Sequence, residues 1–515
     1  MERILFQEEC ENNISYLPSV DEYSVDCGME FHHYNSEAAE DYYSSFDDDP
    51  VKLGTWNVFH PGIGKSQFKD YSLVAEIMNR WDIVTAVELL PLIGADSRHN
   101  ESVISYLRET PRKINDLKKE LNATNPSTKA YEKLKAELKE AQDGLKKAKG
   151  LYRSPGYLKI LKELRKIDPS WALILSPRGE GSDGSWINEL VGFYYRGRKV
   201  KPIENEHCEA FQSTLTASDA YACFPDITGK FLYRNYEGLF SRRPFMGSFK
   251  SGEFDFTLIG SHIIHNSPDD SDLMKTLLNK TFGVDHYDDL GEGVDSGNYA
   301  RFAEIKMTFE IIKNLKRKYK EQDVIYTGDF NVEADEPLLK KMMSEYEGMK
   351  VLVRSETSLS NQRFDSSGEG NGYSNNYDHF FVDSNKLGEC KMGSLFTSRR
   401  VDFYKGFIND LMQKYLIRDI DGVSHLKTLY PMSDSGKKKM NREVTRFKNY
   451  LDSQLTIKRN KIVPVYTDSA TRVDAFRRRV FESQLDDDFF YGVYKEILSD
   501  HAPIEITCST EEDDD

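Results

Sequence analysis

The sequence lacks the features that mark several large classes of protein. Its 515 residues contain no run of 18 or more apolar residues, which excludes a membrane-spanning helix. Met1–Cys10 has neither a basic start nor a long apolar stretch, so we expect no secretory signal there, although a mature exported chain would look the same. No internal repeat of fixed period occurs. With 39% hydrophobic and 30% charged residues and a mean hydropathy of -0.61, the composition is typical of a soluble globular protein, either cytoplasmic or secreted.

Cysteine is also scarce, and its spacing is uninformative about metals. The six cysteines form no CxxC or Cys/His pattern, so a structural zinc site is not expected. Cys10 with Cys27, and Cys208 with Cys223, are close enough in sequence to form disulfides if the protein is exported. In a reducing cytosol all six would be free thiols. The sequence leaves the compartment open.

The formal charge of -16 argues at first against a polyanionic partner, because nucleic-acid-binding proteins usually carry a basic surface. The charges are, however, segregated along the chain. Residues 1–50 hold 14 acidic residues and one basic residue, and residues 511–515 are all acidic. Residues 108–168 hold 17 Lys or Arg against 9 Asp or Glu, and residues 386–479 hold 21 against 10. An acidic framework with two basic insertions is compatible with a nucleic-acid partner.

Alternation of strand and helix begins after the acidic first 50 residues, which we expect to be weakly ordered. The hydrophobic pattern predicts a strand over Val51–Phe59, a helix over Tyr71–Arg80 and a second buried strand over Trp81–Leu90. Such alternation indicates an α/β framework. The clearest later helix is predicted over Tyr299–Lys318. Further strands are predicted at Trp171–Ser176, Glu189–Tyr195, Phe254–His262, Asp323–Gly328, Tyr377–Val382 and Ala502–Thr507.

Two segments interrupt this framework. Residues 101–150 contain two amphipathic helical patterns joined at Asn125–Pro126, which predicts a helical hairpin. Its Lys-rich outer face is most simply a solvated surface, with DNA contact as the alternative. Residues 385–494 are basic and helical in pattern, and they predict a second insertion.

Acidic and amide side chains recur where the predicted strands end, which is where an open α/β sheet places its ligand. Carboxylate and amide oxygens suit magnesium, manganese or calcium rather than zinc. Taken singly, Asn57 and Asp329 could equally be turn or capping residues. The strand-end residues are Asn57, Glu88, Asp329, Asn331, Asp500 and His501.

Eight short motifs, in their residues and in their order along the chain, resemble those of the endonuclease/exonuclease/phosphatase superfamily, which has the DNase I-like fold. The resemblance reaches from about residue 51 to residue 508, and several of the motifs would be weak evidence alone. The motifs are GTWNV at 54–58, DIVTAVE at 82–88, NE at 188–189, SRRP at 241–244, GSH at 260–262, GDFN at 328–331, YDHFFV at 377–382 and SDH at 499–501.

The resemblance implies a fold and a domain plan. The fold would be a four-layer α/β sandwich, in which two packed mixed β-sheets are flanked by helices. The catalytic domain would span residues 51–508 and contain both the helical hairpin at 101–150 and the basic helical insertion at 385–494. It would follow the acidic lead-in at 1–50 and precede an acidic tail at 509–515.

The resemblance also implies a divalent cation, Mg²⁺ first, with Mn²⁺ or Ca²⁺ as alternatives. Glu88 resembles the principal metal-binding carboxylate of the family, assisted by Asn57 and Asp500. Asp329 and Asn331 resemble the pair that orients the attacking water and contacts the scissile phosphate.

Two histidine–carboxylate pairs and one arginine complete the implied site. His501 is similar to a catalytic histidine of the family, with Asp378 as the carboxylate that orients it, and Glu189 with His262 fits a second pair. Such pairs could divide the base and acid work of hydrolysis. Arg242 would contact the phosphate together with Asn57 and Asn331, although the alignment could slip by one residue to Arg243.

The other side chains near these motifs invite simpler interpretations. We expect His60 and His265 to be structural or adjacent to substrate, His379 to be a strand residue and Trp56 to belong to the core.

The absence of two motifs narrows the range of substrates that we expect. No Trp precedes GDFN as in inositol-polyphosphate phosphatases, and residues 374–380 lack the Trp and Arg of abasic-site endonucleases. The sequence therefore favours a metal-dependent phosphodiesterase acting on nucleic acid, most simply a non-specific DNA endonuclease. A sphingomyelinase-like or other phosphate-ester hydrolase of the same superfamily and a catalytically inactive nucleic-acid-binding module remain alternatives.

Overall fold

The computed structural model describes most of the framework that the sequence predicts. The long described ranges are 50–61, 69–91, 95–149, 154–177, 189–210, 221–319, 323–346, 348–360, 372–390 and 498–511. Shorter described pieces are 3–5, 13–17, 22–26, 362–363, 398–401, 455–458, 461–464 and 470–474, with Leu151 and a few single residues between 445 and 495.

The strands are short, as expected for an α/β protein. They are β1 (Arg3–Leu5), β2 (Asn13–Leu17), β3 (Glu22–Asp26), β4 (Val51–Asn57), β5 (Ile83–Leu89), β6 (Trp171–Leu175), β7 (Leu190–Arg196), β8 (Lys201–Pro202), β9 (Ala222–Cys223), β10 (Phe245–Ser251), β11 (Phe254–His262), β12 (Val324–Asp329), β13 (Met349–Val351), β14 (Asp378–Asp383), β15 (Ser398–Arg400), β16 (Leu455–Lys458), β17 (Lys461–Pro464) and β18 (Ile504–Cys508).

Eight α-helices and one 3₁₀ turn, at Tyr287–Leu290, are found within the described residues. The α-helices are α1 (Tyr71–Met78), α2 (Ala95–Ala123), α3 (Lys129–Lys149), α4 (Gly156–Ile167), α5 (Glu206–Ala210), α6 (Ser271–Phe282), α7 (Tyr299–Tyr319) and α8 (Pro337–Ser344).

Two mixed sheets form the centre of the molecule. The first has the order β15-β18-β4-β5-β7-β6, and the second has the order β13-β14-β12-β11-β10-β8, with β9 also paired to β10. β4 is parallel to β5 and β11 is parallel to β12, whereas the other neighbours in these two sheets are antiparallel. Separate small sheets are formed by β1-β2-β3 and by β16-β17.

The two central sheets pack face to face, and helices cover their outer faces. Phe193 and Ile504 of the first sheet share a buried core with Phe249 and Ile325 of the second. A second core joins the first sheet to α1 and α4, and a third joins the second sheet to α6, α7 and α8. The prediction of a four-layer α/β sandwich is therefore confirmed.

The predicted elements agree with the observed ones to within about two residues at most ends. Phe254–His262 is a strand over that whole range, and the helix predicted over Tyr299–Lys318 ends one residue later. The sequence did not point to β10, because its apolar residues are interrupted by Gly247 and Ser248. A Cβ atom on Gly247 would lie 3.2 Å from the Phe193 ring of the facing sheet, and Ser248 Oγ is hydrogen-bonded to Thr257 Oγ1 of β11, so tertiary contacts account for both small residues.

The inserted hairpin consists of α2 and α3. Leu134 and Leu138 of α3 pack with Ile114 and Leu117 of α2, and Ala148 packs nearer the base of the hairpin. Most of the basic segment predicted at 385–494 lies outside the described residues, as do most of the lead-in at 1–50 and the last four residues of the tail.

Two disulfides occur among the described cysteines. Cys208 bonds to Cys223, which is one of the two pairs that sequence proximity suggested. Cys390 bonds to Cys508 across 118 residues, a pairing that no sequence spacing indicates. The other suggested pair, Cys10 with Cys27, lies outside the described residues. In the part of the chain described here, no helix is long and apolar enough to cross a membrane.

Gly328 is required where β12 runs beside β11. Its φ of +143° is rare for residues with side chains, and a Cβ atom built on it would lie 1.8 Å from the Ser261 carbonyl oxygen. We expect Gly328→Ala to lower the free energy of unfolding by roughly 2–5 kcal/mol, because neighbouring backbone must move. Urea denaturation would measure the loss.

Gly229 provides the matched control, since a Cβ atom added there meets nothing within 4 Å and its φ is ordinary. We expect Gly229→Ala to change stability by about 0.5 kcal/mol or less. Equal effects at the two positions would contradict the explanation for Gly328.

Candidate active site

The predicted site residues come together where the central strands end. Asn57 ends β4, Glu88 lies next to the end of β5, His262 ends β11 and Asp329 ends β12. The two parallel pairs bring these four side chains to one edge of the sandwich, because carboxyl ends of parallel strands share an edge. Asp378, at the start of antiparallel β14, pairs directly with Asp329 in register.

A hydrogen-bonded group of polar side chains occupies the centre of this edge. The Asn57 Nδ2 atom donates to Glu88 Oε1 at 2.8 Å and to Asp329 Oδ2 at 3.0 Å. Asn57 is fully buried and Asp329 nearly so. The fixed amide holds two carboxylates close together, which a buried site tolerates only with such partners.

The first histidine–carboxylate pair is present. His262 Nδ1 lies 2.7 Å from Glu189 Oε2, and its Nε2 lies 3.6 Å from Glu88 Oε1 and 3.7 Å from Asp329 Oδ2. Burial favours the neutral forms, but the hydrogen bond and opposite charges outweigh it, lowering the pKa of Glu189 well below its usual value and raising the pKa of His262. Glu189 therefore fixes the imidazole with Nε2 facing the central carboxylates.

The second pair has the same design. His501 Nδ1 lies 2.7 Å from Asp378 Oδ2, and its Nε2 lies 3.5 Å from Asp329 Oδ2. Burial lowers the pKa of His501, but Asp378 and Asp329 outweigh it and hold that pKa well above the usual value. Asp329 Oδ2 thus has a histidine Nε2 atom within 4 Å from each of the two pairs.

The Arg242 guanidinium joins the first pair. Its Nη2 donates to Glu189 Oε1 at 3.1 Å, and its Nη1 lies 3.5 Å or less from the carbonyl oxygens of His262 and Ile263. Arg243 instead donates to the Pro225 carbonyl at 2.7 Å, and its guanidinium stacks on a phenylalanine ring. Of the two arginines, the structure brings Arg242 to the site.

Asn331 is held at the rim by a dense set of contacts. Its backbone N–H donates to Asp329 Oδ1 at 3.0 Å, and its Nδ2 donates to the Ile263 carbonyl at 2.9 Å. Its Oδ1 lies 2.9 Å from His265 Nδ1, and Arg301 donates to its carbonyl oxygen. The side chain is therefore pre-positioned beside Asp329.

Asp500 is the predicted site residue that the structure places differently. Its Oδ2 forms an ion pair with Lys495 Nζ at 2.6 Å, and it belongs to neither of the two groups of closely spaced ligand atoms found among the described residues. Burial raises the pKa of Asp500, but His501 and Lys495 outweigh it and lower the pKa overall. Its role as a cation ligand stays a prediction.

Backbone strain is concentrated at this edge. Within the described residues, four residues other than glycine have a left-handed φ, and all four lie at the site. Strain of this kind persists where the surrounding structure imposes it, and it is frequent at functional sites. The four are Phe59 at 46°, His60 at 48°, Glu88 at 61° and Asn331 at 51°.

Sequence reasoning assigned no defined role to two residues that the structure brings to the site. His60 lies against Glu88 and Glu189, at 3.2 Å and 3.7 Å. Glu304 is completely buried on α7, where Oε1 accepts the N–H of Ser241 at 2.7 Å. For His60 the only sequence signal was its proximity to the GTWNV motif. Glu304 gave no signal, because it is one residue within a long helix. His379 is fully buried against the Val332 carbonyl, as expected of a strand residue.

Glu304 makes a pH-dependent prediction. Burial raises its pKa from 4.5 to about 7, opposed by Ser241 and Arg242. Between pH 4.5 and pH 7 the Glu304 carboxyl therefore keeps its proton in the folded state and has lost it in the unfolded state. The free energy of unfolding should then fall by roughly 3 kcal/mol as the pH rises from 4.5 to 7. We expect Glu304→Gln to remove this fall, as urea unfolding at pH 5 and pH 8 would show.

The exposed Glu253 supplies the comparison for Glu304, because its side chain is 72% accessible. Glu253→Gln should leave the pH dependence of the wild type unchanged. A Glu304→Gln protein that loses stability with pH in parallel with the wild type would contradict the raised pKa.

The donor set fits a divalent cation. Glu88, His262 and Asp329 each offer a ligand atom, all within 4.8 Å of one another, and Asp329, Asp378 and His501 form a second such group. Glu88 Oε2 is buried and has no hydrogen-bond partner among the described residues. A carboxylate oxygen without a donor is costly unless a cation neutralises it. Glu88 and Asp329 are accordingly the residues that would hold the cation.

The fold and site together define an α/β sandwich with two histidine–carboxylate pairs at the ends of its central strands. No family model matches the chain, and no curated protein matches it. The chain is similar to several solved structures.

One is an endonuclease/exonuclease/phosphatase family protein from Bacteroides thetaiotaomicron, at 12% identity, covering 89% of this chain and 97% of that one, with a TM-score of 0.36. Another, an endonuclease/exonuclease/phosphatase from Bacteroides vulgatus, shows 15% identity over 65% of this chain and 87% of its own, with a TM-score of 0.31. A beta toxin mutant from Staphylococcus aureus with bound magnesium ions shows 13% identity over 90% and 100%, with a TM-score of 0.34.

Two of these three structures carry the name of the superfamily that the motifs resemble. With TM-scores of 0.36, 0.31 and 0.34, the three similarities assign neither a family nor a residue role to this chain.

Proposed function

We propose that this chain is a metal-dependent phosphodiesterase and, in finer detail, a largely non-specific DNA endonuclease. The observation that carries the proposal is the pair of imidazoles whose Nε2 atoms both lie within 4 Å of Asp329 Oδ2. The Nδ1 atom of each imidazole is hydrogen-bonded to a carboxylate, which is Glu189 for His262 and Asp378 for His501. Hydrolysis needs one group to accept a proton and one to donate a proton, and two oriented histidines supply both.

The proton transfers follow from this arrangement. A water molecule oriented by Asp329 and Asn331 attacks phosphorus and loses its proton to one imidazole. The bond from phosphorus to the leaving oxygen breaks, and the other imidazole gives that oxygen a proton. Arg242 stands beside His262, where its guanidinium can bind the phosphoryl oxygens. Both N–H groups of the Asn57 amide are engaged by Glu88 and Asp329, so Asn57 acts by holding these two carboxylates in place. A divalent cation at Glu88, Mg²⁺ first among the candidates, would neutralise charge developing on the phosphate.

The basic segments favour nucleic acid as the substrate. The hairpin exposes lysines such as Lys133, which is 79% accessible, and Arg472 is half exposed in the second insertion. Contacts to phosphates ignore base identity, so such residues would support cleavage without sequence preference.

A substrate panel tests the proposal. Purified protein with MgCl₂ or MnCl₂ should nick plasmid and degrade linear duplex DNA, and EDTA should stop both reactions. Single-stranded DNA, RNA, phosphoinositides and sphingomyelin complete the panel, and a variant with His262→Ala and His501→Ala is the inactive control. DNA left intact while phosphocholine is released from sphingomyelin would replace the nuclease by a lipid phosphodiesterase. DNA binding without turnover of any substrate would identify a binding module.

A further inference from the structure

His60 faces the carboxylate on which the proposed cation site depends. Its Nε2 lies 3.2 Å from Glu88 Oε2 and 3.7 Å from Glu189 Oε1, and its side chain is 27% accessible. The imidazole is thus turned toward the site while it remains reachable by small solutes.

The side chains expected to assist Glu88 have other partners. Asn57 presents its Nδ2 to Glu88, and its Oδ1 accepts the backbone N–H of Phe59 at 3.0 Å. Asp500 is paired with Lys495. Glu88 Oε2 is buried and accepts no hydrogen bond from the residues that the structure describes. His60 Nε2 lies near this oxygen atom but does not form a hydrogen bond with it.

The spacing of these two atoms suits two ligands of one ion. Neighbouring ligands around an octahedral ion, each bound at about 2.1 Å, lie about 3.0 Å apart. The Nε2 to Oε2 distance of 3.2 Å is close to that value. Mn²⁺ binds nitrogen least strongly among the divalent first-row transition ions, but as one of them it accepts an imidazole beside oxygen ligands more readily than Mg²⁺, which keeps to oxygen.

The backbone holds His60 in this orientation against its own preference. Phe59 and His60 both have left-handed φ angles, which cost of order 1–3 kcal/mol each for residues with side chains. The turn is held by the Phe59 N–H on Asn57 Oδ1 and by the Val58 N–H on the Val87 carbonyl. A solvent-facing histidine would need no such turn.

We propose that His60 is a nitrogen ligand of the divalent cation at Glu88 and biases this site toward Mn²⁺ over Mg²⁺. The inference rests on the proposed function, because it assumes that a cation binds at Glu88.

Metal binding itself provides the test, with full-length protein and no substrate. Mn²⁺ affinity is measured by titration with electron paramagnetic resonance, and Mg²⁺ affinity by calorimetry. The variant is His60→Asn, since asparagine tolerates the left-handed backbone. His286→Asn is the matched control, because His286 is an exposed histidine in a separate turn. We expect His60→Asn to weaken Mn²⁺ binding about ten-fold or more and Mg²⁺ binding much less, whereas the control leaves both unchanged.

Spin-echo modulation by ¹⁴N gives a direct signature of nitrogen coordination to Mn²⁺. It should be present in the wild type and lost or reduced in His60→Asn. If His60→Asn leaves both the modulation and the Mn²⁺ affinity unchanged, or weakens Mg²⁺ and Mn²⁺ equally, the inference is wrong.

Glu88→Gln separates this inference from the proposed function. If Glu88→Gln abolishes binding while His60→Asn has no effect, the cation site stands and only the role of His60 fails. If Glu88→Gln leaves Mn²⁺ binding unchanged, the cation does not bind at Glu88, and both the cation site of the proposed function and the role of His60 fail.

Discussion

Replacement of His501 by alanine is expected to lower the rate of phosphodiester cleavage by about two to four orders of magnitude while leaving DNA affinity nearly unchanged. The physical reason is the position of its Nε2, 3.5 Å from Asp329 Oδ2, with Nδ1 fixed on Asp378. On the proposed mechanism proton transfer is lost with the imidazole, whereas phosphate would still be bound by Arg242 and by basic surfaces elsewhere. Plasmid-nicking rates under single-turnover conditions would measure the first quantity, and fluorescence anisotropy with labelled DNA the second.

Asp378→Asn tests how the imidazole is oriented. Burial lowers the pKa of His501, and Asp378 together with Asp329 more than offsets it, so the asparagine variant should lower that pKa and move the pH profile of cleavage to lower pH. His286→Ala, a change in an exposed histidine, should leave rate and profile unaltered. A His501→Ala protein with wild-type turnover would remove this residue from the proposed chemistry.

Loss of the Cys390–Cys508 disulfide is expected to give the largest change in stability. The bond joins two residues that are 118 positions apart, and the closed loop spans most of the basic segment predicted at 385–494. On the chain-entropy model such a loop is worth about 4–5 kcal/mol, because the bond restricts the unfolded chain. We expect Cys390→Ser combined with Cys508→Ser to lower the free energy of unfolding by that amount, as urea denaturation without reductant would measure.

The shorter disulfide serves as the internal comparison. Cys208 and Cys223 are 15 residues apart, so their joint replacement by serine should cost about 3 kcal/mol, less than the long pair. Dithiothreitol should destabilise the wild type and have a smaller effect on either double variant. An unfolding transition of the wild type that is insensitive to dithiothreitol would contradict both estimates.

Much of the framework was predictable because its signals are local. A strand such as Phe254–His262 and a helix such as Tyr299–Tyr319 carry their own periodicity, so their type and approximate ends follow from the sequence. β10 could not be predicted in this way, because Gly247 packs against Phe193 of the facing sheet and Ser248 is hydrogen-bonded to Thr257 of β11. The Cys390–Cys508 bond was equally hidden, since a separation of 118 residues says nothing about which ends meet.

For the candidate site, the sequence likewise predicted the residues and not the contacts between them. Its residue types and order follow from the motifs: Glu88 after a buried strand, Asp329 and Asn331 in GDFN, and His501 in SDH. Which atoms meet was decided by the tertiary structure. It turned Arg242 rather than Arg243 toward the site and paired Asp500 with Lys495.

By itself the sequence determined an α/β framework with carboxylates, amides and histidines at strand ends, because periodicity is a property of the chain, and the order of its motifs implied the sandwich by resemblance. Only the tertiary structure decided that His60 faces Glu88 and that Glu304 lies buried behind the Ser241 turn. These contacts depend on left-handed backbone angles and on packing between segments distant in sequence, which no local pattern encodes.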